Sequence, residues 1–299
     1  MRGMGSRTLL ILHNPASGPS RKRAADWGWL LESAEETGWR ATLAVTQGPG
    51  DAERLVREAM DHGLDRVVVI GGDGTLNEVV QPLVGTEVSV GLIPAGTSNI
   101  LANELGIPEG FREAGAIALT GTPIPIDVGV ANGRFFTLMV GVGFDALTTQ
   151  LIWPQLKKLA GQATYLIAGL QSFLTHRATR MRIQVDGRRL RRLVYFMVIA
   201  NTRLYGMASA VVAEHADVQD GRFDLCVFRV RSWYQVIFSV LRIAFRLSTP
   251  FARMETHRCE RVTVQSARQV PYQIDGDLAG YLPLTVEMRP RALQVVARP

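Results

Sequence analysis

From Thr8 to about Ile126 the chain alternates short apolar runs of strand length with longer stretches whose apolar residues recur at helical spacing. Thr8–His13, Arg40–Val45, Arg66–Ile70 and Val88–Ile93 read as strands. Lys22–Thr37, Asp51–His62, Leu76–Val84, Asn99–Leu105 and Phe111–Leu119 read as helices. This alternation predicts βαβ units, a parallel sheet, and a ligand site outside the carboxyl ends of the strands. After Asp127 the period changes. Asp127–Ala131 and Arg134–Val140 flank Asn132-Gly133, and Met181–Val185 and Leu190–Ala200 flank Asp186-Gly187, both strong hairpin pairs. Phe223–Val230, Arg261–Gln265, Val270–Ile274, Leu284–Met288 and Ala292–Val296 continue as strands, with helices expected over Gln150–His176 and Ser232–Leu247. The pattern predicts an α/β half over residues 1–126 and an antiparallel sandwich over 127–299, packed closely with a ligand cleft between them.

Each predicted strand of the first half ends in small, hydroxyl or amide residues. Asn14-Pro15-Ala16-Ser17-Gly18 follows the first, and Thr46 follows the second, leading into Gly48-Pro49-Gly50-Asp51-Ala52. Gly71-Gly72-Asp73-Gly74-Thr75, with Asn77 close behind, follows the third, and Pro94-Ala95-Gly96-Thr97-Ser98-Asn99 the fourth. One such loop is an ordinary turn; four at one sheet edge point to a polyphosphate site. Glycine lets a ligand approach the main chain with no Cβ in the way, and the free N–H groups at a helix start favour phosphate. Asp73 would repel phosphate unless it holds a Mg²⁺ that bridges to phosphate oxygens, or orients a hydroxyl. Neither the P-loop nor the dinucleotide pattern is present.

Two carboxylate motifs stand in the second half. Gln273-Ile274-Asp275-Gly276-Asp277 reads equally as a hairpin turn or as a carboxylate placed to take a proton from an acceptor hydroxyl. Asp217-Val218-Gln219-Asp220-Gly221-Arg222 is an oxygen-rich turn of a kind that is usually solvated and in some proteins binds Mg²⁺ or Ca²⁺.

Composition refines this picture at its margins. The 299 residues, 47% hydrophobic and 20% charged, describe a folded chain with room for one large domain or two ordinary ones. Cys226 and Cys259 lie far apart and the histidines are scattered, so no metal pattern arises and a reducing cytoplasmic setting is expected. Met1–Arg7 lacks the apolar core of a secretion signal. Leu159–Leu174 and Trp233–Leu247 are interrupted by Gln162, Gln171, Arg242 and Arg246, which argues against a membrane span. Both resemble interfacial helices, although covering a core explains most of their residues. A net charge of +6 is dispersed over Arg21-Lys22-Arg23, Lys157-Lys158, Arg188–Arg192 and Arg242/Arg246; solvated faces explain most of it, and an anionic bilayer surface is the sharper reading, with nucleotide phosphate accounting for part. No aromatic-interleaved basic motif points to nucleic acid.

Taken in order, Asn14-Pro15-x-Ser17-Gly18, Thr46 with Gly50-Asp51-Ala52, Gly71–Val79, Pro94-x-Gly96-Thr97-x-Asn99, Asp127-Val128-Gly129, Asn132-Gly133, Val142-Gly143-Phe144-Asp145, Asp220-Gly221 and Asp275-Gly276-Asp277 resemble a known family. The chain is similar to the lipid kinases of the diacylglycerol kinase and sphingosine kinase type, especially the soluble bacterial ones, over essentially its whole length. The glycine-aspartate loop alone is shared with NAD kinases and phosphofructokinases; the ordered set is far more specific. The resemblance implies a Rossmann-like three-layer nucleotide domain followed by an antiparallel β-sandwich, as in NAD kinases and diacylglycerol kinases, with the last residues returning to the first domain. It implies transfer of the γ-phosphoryl of ATP to a lipid hydroxyl, such as that of diacylglycerol, by a cytoplasmic enzyme at the membrane surface. The nucleotide site would draw on Asn14, Thr46, Gly71, Gly72, Asp73, Gly74, Thr75, Asn77, Gly96, Thr97 and Asn99, the general base would be Asp275 or Asp277, and the side chains of Asp217 and Asp220 with the carbonyl of Arg222 would hold a structural Mg²⁺. Two positions depart from the family: Asp277 replaces the usual Glu, one carbon shorter, and Ile100 stands where many relatives carry Asp. The rival readings are an NAD kinase-like enzyme and a catalytically silent lipid-binding protein on the same scaffold. An exposed strand edge would favour a homodimer.

Overall fold

A computed structural model describes residues 7–17, 27–143, 178–205, 210–228 and 254–298. It divides into two units, Met1–Val128 with Pro290–Pro299, and Gly129–Arg289. In the first, β1 (Arg7–His13), α1 (Trp27–Glu36), β2 (Trp39–Val45), α2 (Asp51–Asp61), β3 (Arg66–Gly71), α3 (Asp73–Leu83), β4 (Ser89–Pro94), α4 (Ile100–Glu104), α5 (Phe111–Thr120) and most of β5 (Thr122–Ala131) follow in order. The sheet order is β2-β1-β3-β4, with each neighbouring pair parallel. β3 and β4 are buried at every residue. Strands covered on both faces need no polar alternation, which is why their sequences are unbroken apolar runs. All four run the same way, so their carboxyl ends share one edge, and the strand order switches direction between the neighbours β1 and β3. α3 begins at Asp73, three residues before the expected Leu76, because Gly72 is extended (φ −105°, ψ −174°) and serves as its N-cap.

The second unit contains β6 (Arg134–Phe136), β7 (Met139–Gly143), β8 (Thr179–Val185), β9 (Arg188–Val194), β10 (Phe196–Ala200), β11 (Leu204–Tyr205), β12 (Ala210–Val211), β13 (Phe223–Phe228), β14 (Met254–Cys259), β15 (Arg261–Ser266), β16 (Pro271–Ile274), β17 (Asp277–Tyr281) and the start of β18 (Leu284–Ala297). One antiparallel layer runs β14-β13-β10-β7-β16-β17, and the other β18-β15-β8-β9. Phe136, Val140, Ile183, Met197, Leu225, Val264 and Leu284 belong to the buried cluster that these strands share. The later part of β18 lies in the first unit, where Gln294 and Val295 pair in parallel with Ser89 and Val90.

Several expected strands are redrawn. Arg134–Val140 is two strands, because the main-chain N–H groups at the break bond a side chain, that of Asp275, in place of a neighbouring strand. Leu190–Ala200 is also two, with β9 in one layer and β10 in the other, broken at Tyr195, whose N–H bonds the carbonyl of Phe228. Conversely, Leu284–Met288 and Ala292–Val296 are one strand of 14 residues. It bends at Arg291 (φ 53°), whose N–H donates to buried Asp127 Oδ1 at 2.7 Å. The expected helices Gln150–His176 and Ser232–Leu247, the residues Phe144-Asp145 and the basic run Arg21-Lys22-Arg23 lie outside the described residues. Among the described residues no helix is long and apolar enough to cross a membrane.

Candidate active site

The loops at the carboxyl edge of the first sheet are tied to one another. Gly72 and Gly96 bring two of them into main-chain contact: a Cβ on Gly96 would stand 2.6 Å from the Cα of Gly72 and 2.8 Å from Asn99 Oδ1. Real Cβ atoms do not approach so closely, so packing requires glycine at position 96; a Cβ on Gly72 would stand 3.0 Å from the Cα of Gly96, a tight contact. Gly71 ends β3 over the side chain of Thr75, whereas the space beyond Gly74 is open. Asn99 closes the fourth loop from within, accepting from the Gly96 N–H at 2.8 Å and donating to its carbonyl at 3.1 Å. Its φ of 46° is a left-handed conformation that Asn tolerates better than most residues. Thr97 is exposed at the loop tip.

The first loop joins the third through side chains. Asn14 Nδ2 donates to Thr75 Oγ1 at 2.8 Å, and Asn14 Oδ1 accepts from the Ala16 N–H at 2.9 Å. Thr46 is buried at the end of β2, its N–H bonded to the carbonyl of His13. Asn77 is buried one turn into α3. Glu78 bonds the Ala52 N–H at 3.1 Å and so links α3 to the start of α2. Glu78 lies within the Gly71–Val79 motif and adds to the expected site residues a link between two helix starts.

Asp73 has a dual environment. Burial pushes its carboxyl above the ordinary carboxylate range, while main-chain hydrogen bonds from Ile100, Leu101 and Asn99 pull it down. The carboxylate thus caps the start of α4 across the loop contact, using the position where Ile100 replaces an acid. A cavity of about 20 Å³ lies beside it, lined by Gly71, Gly72, Asp73, Leu76, Pro94 and Asn99. That volume holds about one water, too little for a nucleotide.

In the second unit the two candidate carboxylates behave differently. Asp275 and Gly276 occupy the tight β16–β17 turn with φ of 48° and 93°, as the hairpin reading expected. The Asp275 carboxylate accepts three main-chain N–H bonds, from Thr137 at 3.0 Å, Leu138 at 3.1 Å and Met139 at 2.9 Å. The other two turns of the same shape do likewise: Asp186 accepts from Arg261 and Glu260, and Asn132 from Thr285. Asp277, by contrast, is exposed at the first position of β17.

Asp217 and Asp220 each accept the N–H two residues on, at Gln219 and Arg222, and Asp220 is also paired with Arg258. Nearby Asp224 is buried, with one carboxylate oxygen unpartnered; burial raises its pKa and Arg258 lowers it. Among the described residues no three His, Cys, Asp or Glu side chains gather closely enough to hold a metal. A cation on Asp220 would compete with Arg258 for its carboxylate. Cys226 and Cys259 offer no nucleophile, since both are buried and burial pushes each thiol up to about 12.

Comparison with known proteins places this geometry in a family. Residues 8–131 match the diacylglycerol kinase catalytic domain, and residues 138–297 match the YegS C-terminal NAD kinase beta sandwich-like domain. A diacylglycerol kinase of Bacillus subtilis is 30% identical over 91% of this chain and 90% of its own length. A protein of Pseudomonas putida bearing the name "Probable lipid kinase YegS-like" is 31% identical over 97% of this chain and 95% of its own. A crystal structure of a diacylglycerol kinase from Bacillus anthracis shares the fold, with a TM-score of 0.78 at 21% identity over 98% of both chains. On these two domain matches and the full-length identities, the chain belongs to the diacylglycerol kinase family and is a lipid kinase, a phosphotransferase.

Proposed function

We propose that this enzyme transfers the γ-phosphoryl group of ATP to the hydroxyl of a membrane lipid, with diacylglycerol as the acceptor. The observation that carries the reading is the joining of the Gly71–Thr75 and Pro94–Asn99 loops at Gly72 and Gly96. Phosphoryl transfer asks a protein mainly for positioning and neutralisation of spread negative charge. The main chain supplies both here. The first N–H groups of α3 have no partners within the helix, and the Gly72–Gly96 contact fixes one loop against the other.

The acceptor oxygen bonds to the γ-phosphorus as the bond from that phosphorus to the bridging oxygen of ADP breaks, and ADP leaves with the electron pair. The acceptor proton passes to a carboxylate, which we assign to Asp277. Asp275 is a positioning residue: its oxygens are committed to three N–H groups, and it fixes the start of β7. Asp73 orients the groups about the phosphates from its cap on α4. Mg²⁺ accompanying ATP would neutralise phosphate charge. The lipid acceptor implies peripheral attachment to the membrane, at an anionic surface.

γ-Labelled ATP with Mg²⁺ and mixed micelles tests this directly, offering diacylglycerol, a sphingoid base, ceramide, phosphatidylglycerol and NAD. Label in diacylglycerol is expected. Label in another lipid would overturn the acceptor, and label in NAD the lipid assignment itself.

A further inference from the structure

The outer face of the β8–β9 hairpin is built from arginine. Residues 179–194 contain six arginines and one acid, Asp186. Burial alternates along β8, with Thr179, Met181, Ile183 and Val185 inside and Arg180 and Arg182 exposed. On β9, Arg189 and Arg191 are likewise exposed. The register sets Arg182 directly opposite Arg191, with Gln265 of β15 beside Arg182. Like charges directly opposite are destabilising, and nothing among the described residues offsets them: Asp186 is turned to the N–H groups of Glu260 and Arg261. Arg192, on the inner side of the same strand, is satisfied by Glu255 at 2.9 Å. The hairpin therefore neutralises the arginine it half-buries and leaves its outer row uncompensated.

The bland explanation is protection of a sheet edge, since β9 ends its layer. It accounts for Arg189 and Arg191. It does not account for Arg180 and Arg182, which stand on β8 between two partner strands. Arg180, Arg182, Arg191, Gln265 and Ser266 also line a groove of about 540 Å³, room enough for a phosphate-bearing headgroup. Leu193 is 49% exposed beside them, opposite Arg180, an apolar side chain ready to enter the headgroup region. Charge sharpens the choice. The second unit holds 21 Lys and Arg against 11 Asp and Glu, whereas the first holds 12 against 16.

We propose that the Arg180/Arg182/Arg191 face of the β8–β9–β15 sheet is the surface by which this kinase docks on anionic phospholipid, the arginines taking headgroup phosphates and Leu193 entering the interface. The inference rests on the membrane attachment proposed above and names its surface. Guanidinium groups fork onto phosphate oxygens, and each arginine at an anionic surface contributes about fivefold in affinity.

The test is co-sedimentation of the full chain with vesicles of phosphatidylcholine alone and of phosphatidylcholine with 30 mol% phosphatidylglycerol (about a third anionic, by design). Wild type and an R180A/R182A/R191A variant are compared, with melting temperatures recorded. Wild type is expected to bind the anionic vesicles in a salt-sensitive way. The variant is expected to bind about 100-fold more weakly with an unchanged or higher melting temperature, since a repulsive pair is removed. Unchanged binding by the variant would overturn this surface while leaving membrane attachment standing. A wild type that binds neither vesicle would overturn membrane attachment as well.

Discussion

The first unit carries a net charge of −4 and the second +10, yet it is the first that holds the candidate polyphosphate site. The loops Asn14–Gly18, Thr46–Ala52, Gly71–Asn77 and Pro94–Asn99 contain no Lys or Arg. They offer glycine contacts, amide and hydroxyl side chains and a helix start, groups whose direction is fixed by the fold. On the docking surface proposed above, the second unit would meet anions by the opposite means, a row of long flexible guanidinium side chains on a sheet face. The difference teaches a division of labour. A reacting phosphate must be held in one geometry, which a rigid main chain does better than mobile cations. A bilayer presents many phosphates in no fixed geometry, and there long-range charge suffices.

The largest expected effects separate reaction from fold. Asp277→Asn should lower kcat about 10²–10⁴-fold with melting unchanged, because its side chain is exposed; wild-type-like turnover would move the base elsewhere. Asp73→Asn keeps an oxygen for the N–H groups of α4 while removing a buried charge. The pKa of Asp73 is raised on folding, so its ionisation opposes folding, and its contribution to stability falls as pH rises from the ordinary 3.8 through the raised value. Asp73→Asn should therefore melt at the same or a higher temperature at pH 7 yet lose activity about 100-fold or more. Normal activity would reduce Asp73 to a cap.

Next in size is Gly96→Ala, which forces apart two main chains that touch at Gly72. It should cost about 1–3 kcal/mol of stability and raise KM for ATP about tenfold or more. A stable variant with an unchanged KM would break the claim that this contact shapes the phosphate site. Smallest is Asp275→Asn, expected to cost about 1–3 kcal/mol through weakened N–H bonds at the β7 start. Its kcat should fall less than that of Asp277→Asn; the reverse order in kinetics would exchange their roles.

The first unit was legible because β1, β3 and β4 carry continuous apolar runs and all four parallel strands stop at clusters of small residues. Parallelism alone then puts all the clusters on one edge. What stayed hidden depends on partners distant in sequence. Nothing in Arg134–Val140 reveals that Thr137 and Leu138 give their N–H groups to Asp275. Tyr195 sits inside an unbroken apolar stretch, yet the chain changes layers there. β14 alternates only weakly between exposed and half-buried positions, so it lacked a strand signature. In the candidate site, the loop residues could be named from spacing, but the commitments of Asp73 to α4 and of Asp275 to β7 could not. A carboxylate's role depends on which N–H groups reach it, and those come from elsewhere in the fold.

Steady-state label transfer with two forms of one substrate tests the division of labour most directly. Diacylglycerol would be presented as a water-soluble short-chain form and as long chains in anionic vesicles, to wild type, Gly96→Ala and the R180A/R182A/R191A variant. The account predicts that Gly96→Ala loses activity to a similar degree on both substrates. It predicts that the arginine variant matches wild type on the soluble form and falls about tenfold or more on vesicles. Parallel losses for the arginine variant on both substrates, or none on vesicles, would contradict it.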